Sequence, residues 1–183
     1  MTISTSSIRE SFSIGFYFRA ATGLLSGPGR FFKEISDNCN TGKPLGFLIL
    51  SSLFYVGASF SYINEKVLLL SWVMLLNSIF MPLIGAAVST GLVKMTSFGN
   101  RIDFKKIFSV YAFAGGITML IAWIPLFWLP AELWRWGLVF TGFTKGCGLK
   151  KVEAFMITGV SILTIILFFR ILDYTVTFIK NVF

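Results

Sequence analysis

Between residues 45 and 172 the chain carries apolar runs too long and too poor in charge to be surface elements of a water-soluble fold. A helix needs about 20 such residues, in a range of roughly 17 to 25, to cross the hydrocarbon core of a bilayer. Residues 45–63 meet this without a charge, residues 67–93 exceed it, and residues 107–128 meet it again, closed by Pro125 and Pro130. Residues 154–172 form a further run with Arg170 near its end, and residues 133–146 a shorter one containing Arg135. Pro82, inside 67–93, predicts a kink or a tilt. Composition removes the soluble alternative: 55% of the 183 residues are hydrophobic, 13% are charged and 21 are Phe. A soluble chain of this length buries about 70% of its unfolded surface and keeps the rest wettable. These residues cannot do that, and they are far too apolar for a disordered chain.

The formal net charge of +8 does not indicate nucleic acid. The basic residues fall between apolar runs, with no stripe of interleaved aromatics, which is the bias of a membrane protein beside anionic headgroups. Their placement sets the expected topology. With five crossing helices and a cytoplasmic N-terminus, twelve Lys and Arg lie inside, against Lys66, Arg135, Arg170 and Lys180 outside. If 133–146 did not cross, Lys145, Lys150 and Lys151 would move outside and the bias would weaken. Trp72, Trp123, Trp128, Trp134 and Trp136 then gather at the outer interface, as an aromatic belt would. Arg135 reaches the same interface, with Glu132 one turn earlier as its partner. The expected fold is an all-α, polytopic transmembrane bundle of five helices over residues 45–183, with amphipathic interfacial helices in the cytoplasmic segment 1–44.

In that segment Ile8, Phe12, Phe16, Ala20 and Leu24 recur every four residues, which predicts a helix lying on the membrane and ended by Gly27-Pro28-Gly29. Phe12, Ile14, Phe16 and Phe18 also alternate as a strand would; with no other strand candidate in the chain, the helix is preferred. Beyond the turn, Phe31, Phe32 and Ile35 share one face while Lys33, Glu34 and Asp37 point away. This predicts a second short helix held against the inner leaflet. Arg9, Glu10 and Arg19 interrupt any signal-peptide core, so the first crossing helix is expected to serve as its own targeting signal.

Little in the sequence carries chemistry. There is no His, the commonest general base and metal ligand. The eight carboxylates form no obvious pair, and Glu153 is placed to cap the start of the last run. No phosphate-binding loop or nucleophile elbow is present. Cys39 and Cys147 have no metal-type spacing and are expected as two unpaired thiols. The chain is therefore expected to be no enzyme and to need no cofactor or metal. Asn77, mid-run, is the most deeply placed strongly polar residue. It either hydrogen-bonds to a neighbouring helix, a contact of about 0.6 kcal/mol, or touches a substrate. Small residues at helical spacing point to close helix contacts: Gly85 with Ser89, Ala87 with Gly91, Ala112 with Gly116, and Gly142 with Gly146.

Several stretches in fixed order resemble the Yip family of five-span membrane proteins. They are Pro28-Gly29-Arg30-Phe31-Phe32-Lys33-Glu34 followed by Lys43-Pro44-Leu45-Gly46, then Phe104-Lys105-Lys106-Ile107 leading to Tyr111-Ala112 and Trp123-Ile124-Pro125. Gly142-Phe143 and Gly148-Leu149-Lys150-Lys151-Val152-Glu153-Ala154 complete the set. The resemblance implies a cytoplasmic N-terminus, a C-terminus on the far side, and a role in partner binding and membrane organisation rather than catalysis. Without a long acidic tail the chain looks like the compact bacterial branch, which implies the cytoplasmic (inner) membrane. GTPase binding is not carried over, and no functional residue of the family maps here. The expected partners are membrane lipid and either a membrane protein or a second copy of the chain, with no nucleic acid. The leading expectation is a non-enzymatic bundle that recruits or stabilises partner proteins or organises the bilayer. The alternative is a small transporter or channel subunit for a lipid or other apolar molecule, with Pro82, Pro125, Pro130 and Asn77 marking broken helices around a central site. A cavity reaching Asn77 would favour the alternative, and a sealed bundle the first reading.

Overall fold

The computed structural model describes residues 12–36, 41–62, 67–95 and 102–182, which are helical apart from short turns, with no strand among them. Seven α-helices follow one another: α1 (Ile14–Ser26), α2 (Pro28–Ser36), α3 (Gly42–Ser59), α4 (Val67–Lys94), α5 (Phe104–Ala122), α6 (Trp128–Thr141) and α7 (Lys151–Val182). The boundaries follow local chemistry. Ser13 is extended, and its hydroxyl accepts the Phe16 N–H at 3.2 Å, capping α1. That cap overrides the strand-like alternation of Ile14, Phe16 and Phe18. Pro28, with no N–H to lose, opens α2 directly after Gly27. At the other end of the chain, the Lys150 N–H donates to Glu153 Oε2 at 3.2 Å and so caps α7.

Two expected spans shift. The run 107–128 becomes α5 plus a separate turn, because Pro125 cannot continue a helix and sits in a 3₁₀ turn over Pro125–Phe127. The residues from Trp128 pass instead to α6, whose first turn tolerates Pro130 because its N–H would have no helical partner anyway. A π turn, Gly142–Gly146, prolongs α6. Together they make a continuous helical rod about 28 Å long, where 133–146 alone had looked short. The run 154–172 lengthens to the 32 residues of α7.

α4 and α5 are both long and apolar enough to cross a membrane, yet they occupy opposite environments. α5 is the central post: every residue from Ile107 to Met119 is buried, with α3, α4 and α6 packed around it. α4 turns Leu68, Trp72, Val73 and Phe80 outward, with Leu68 76% exposed. α3 adds Leu53 and Phe54 to this outer surface, and α7 adds Phe155, Met156 and Leu163. An apolar perimeter of this extent is stable only beside hydrocarbon. The hydroxyls obey the same solvent. Ser59, Ser71, Thr90, Ser109 and Thr164 each donate to the carbonyl four residues back in their own helix.

The N-terminal helices depart from expectation. Tyr17, Ala20, Ala21 and Leu24 of α1 are buried, as are Phe31 and Phe32 of α2. Their apolar faces meet protein rather than lipid. The Phe113 ring in the middle of α5 lies 5.1 Å from that of Phe31, 5.3 Å from Phe47 and 6.3 Å from Phe16 between centroids. An aromatic core therefore joins α1, α2, α3 and α5. Ile14, Phe18 and Leu25 form a second, exposed apolar face on α1. Ile8, Asp37 and Cys39 lie outside the described residues.

Candidate functional site: a cavity between five helices

The end of the bundle opposite α1 and α2 is hollow. A cavity of about 750 Å³ lies between the later turns of α3 and α5, the first turns of α6, the first half of α4 and the middle of α7. Its walls are Met74 and Met81 from α4, Met119 from α5, and Ile162, Ile165 and Ile166 from α7. Three charged residues, Glu132, Arg135 and Arg170, and the amide of Asn77 complete the lining. Asn77 and Arg170 are exposed, so the space communicates with the surroundings.

Helical spacing explains the charged rim. Glu132 and Arg135 are three residues apart on α6 and meet as neighbours do at that interval. Arg135 Nη1 donates to Glu132 Oε1 at 2.9 Å, as the sequence predicts. The Arg135 guanidinium carbon also stands 5.1 Å from the centroid of the Trp136 ring, a cation–π contact that holds a second face of the group. Its side chain is 15% exposed and that of Glu132 42%, so the arginine is held in place while the carboxylate remains accessible.

Trp136 links the cavity to a buried polar cluster. Its ring meets that of Tyr111 edge-on, with centroids 6.4 Å apart. The Tyr111 hydroxyl lies 2.7 Å from Ser89 Oγ, which in turn lies 2.7 Å from Ser161 Oγ. These three hydroxyl groups tie α4, α5 and α7 together across the interior. A comparable link, Tyr17 Oη to Ser51 Oγ at 3.1 Å, joins α1 to α3. Among the described residues, Thr158 Oγ1 is the one buried side-chain oxygen or nitrogen without a hydrogen-bond partner.

The small residues divide by face. A Cβ on Gly85 would come within 2.6 Å of the Tyr111 ring, and one on Gly116 within 2.7 Å of the Phe47 ring. One on Gly142 would collide with Val110, and one on Gly146 would stand 3.2 Å from the Phe32 carbonyl oxygen. Ala112 is fully buried and Ser89 belongs to the hydroxyl cluster. Ala87 and Gly91, at the same spacing as Gly85 and Ser89, are exposed, and nothing stands within 4 Å of a Cβ on Gly91. Asn77 makes no hydrogen bond among the described residues and lines the cavity instead. Cys147 is half-buried beyond the π turn.

The cavity joins an apolar lining to a few placed polar groups, as a binding site does. Ser78 and Thr118, the aliphatic hydroxyls in its lining, donate to carbonyls of their own helices, and Tyr55 adds a phenol. Glu132 is the single carboxylate there, and no cluster of three potential metal ligands occurs among the described residues. Glu132 and Arg135 are legible from their spacing. The participation of Met81, Met119 and Ile165 is not, because it arises only when five separated segments assemble.

A family model, the Yip1 domain, matches residues 22–172, from the second half of α1 into α7. No curated protein and no solved structure matches the chain.

Proposed function

Because the chain belongs to the Yip1-domain family, a family of membrane proteins, we propose that it is a non-enzymatic integral membrane protein that organises the bilayer by lodging lipid between its helices. A cavity reaching Asn77 was expected to favour a transporter; with Phe31, Phe47 and Phe113 filling the opposite end, it supports a resident lipid instead. Its size falls within the roughly 300–1,000 Å³ of ligand pockets, and such sites join an apolar lining to a few placed polar groups. Met and Ile walls suit an acyl chain; Arg135, Arg170 and Asn77 suit its polar end. In this reading α3 to α7 cross the inner membrane of a bacterium with the N-terminus cytoplasmic, supported by the twelve-to-four distribution of Lys and Arg. The cavity then opens toward the outer leaflet.

A transporter for a lipid or other apolar molecule is the second reading, favoured by the same cavity. It needs a path through the other end, where Phe31, Phe47 and Phe113 fill the interior, so a binding role fits the geometry better. The test is native mass spectrometry of the full chain released from nanodiscs, beside a Met81→Trp variant that fills the cavity. Retained lipid that the variant loses is the expected result. A lipid-free chain accompanied by a stoichiometric protein partner would replace lipid binding with partner recruitment.

A further inference from the structure

Resting on that reading, we propose that the cavity selects an anionic phospholipid, with Arg135 and Arg170 as the donors to its phosphate. The argument begins with charge. Among the described residues the cavity is lined by two guanidinium groups and one carboxylate, and the carboxylate is already engaged by Arg135. A ligand with a net negative head balances this lining, whereas a neutral head leaves its excess positive charge beside apolar walls, where lone charges are costly.

The geometry of Arg135 adds direction. A guanidinium offers five N–H donors in a rigid fork. Glu132 occupies one edge through Nη1, and Trp136 covers a face. The remaining donors are held in a side chain only 15% exposed, so little rotamer freedom is lost when a phosphate arrives. Arg170 lines the same cavity from a different helix, α7. Two arginines on different helices match the several oxygens of a phosphate better than one ammonium would. Below them the Met and Ile walls receive a chain, so the site fits an amphiphile rather than a free ion.

The experiment uses the full chain in nanodiscs of phosphatidylglycerol, phosphatidylcholine and phosphatidylethanolamine in equal parts, with retained lipids counted by native mass spectrometry. Phosphatidylglycerol is expected to be enriched about tenfold over phosphatidylcholine, the effect of one charge-assisted hydrogen bond. R135Q and R170Q should each lower that preference several-fold, reducing retention of phosphatidylglycerol more than that of phosphatidylcholine, and R135K should restore part of it. R170Q, on an exposed side chain, decides the matter if R135Q fails to fold. Equal retention of all three lipids overturns the proposal. So does a preference for phosphatidylethanolamine that E132Q abolishes, which would assign the selectivity to an ammonium on the carboxylate. Displacement by inorganic phosphate would reassign the site to a small anion. Absence of every retained lipid is a different failure, because it removes the lipid-binding reading itself.

Discussion

The two ends of the bundle are built from the same helices, α3 and α5, and fill space in opposite ways. At one end α1 and α2 close over Phe47 and Phe113, and ring meets ring tilted or edge-on, with Gly116 giving Phe47 its room. At the other, unbranched Met and two rim arginines border about 750 Å³ of open space. Tight packing is what associates helices in a solvent as apolar as they are. The aromatic end therefore holds the fold together, and the hollow end is free to be occupied. The stretches that carry the family resemblance fall mostly on the first: Phe31, Phe32, Pro44, Gly142 and Phe143 are all buried around that end. Asn77, Glu132, Arg135 and Arg170 lie outside those stretches.

The sharpest way to break this comparison is Phe113→Ala. It removes a fully buried ring that touches three neighbouring aromatics, and a loss of about 3–5 kcal/mol is expected in reversible unfolding from detergent micelles. Met81→Ala, on the half-buried cavity wall, should cost under about 1 kcal/mol in the same assay, since the space it leaves adjoins space already open. Equal costs would mean that the ends do not differ in kind. Gly142→Ala, which drives a methyl group into Val110, is expected to destabilise by about 1–3 kcal/mol, whereas Gly91→Ala, facing open space, should be neutral or slightly stabilising. Tyr111→Phe removes one cross-helix hydrogen bond, leaving Ser89 paired with Ser161, and should cost about 0.6 kcal/mol. Smallest of all, Asn77→Leu should leave stability within about 0.5 kcal/mol and alter only the lipid retained.

Helices and local pairs were legible because they depend on neighbours in sequence. The Glu132–Arg135 ion pair and the Glu153 cap follow from three-residue spacing. The burial of α1 and α2 was not legible, for a physical reason. The Phe31, Phe32 face has the same amphipathic pattern whether it meets an acyl chain or the ring of Phe113. Small-residue spacing has the same limit: Gly85 with Ser89 and Ala87 with Gly91 read alike, yet one pair faces Tyr111 and the other faces outward. The cavity is further still from the sequence, since no single helix contains it.

The burial of α5 from Ile107 to Met119 has a consequence for biogenesis. It is less apolar than α4 and carries Ser109, Tyr111 and Thr118, so by transfer energy it is the poorer candidate to leave the translocon for lipid on its own. It is also the helix around which the others assemble. Its partners α3 and α4 precede it in the chain, and a chain truncated before α6 and α7 would leave its hydroxyl-bearing faces without the later helices that cover them.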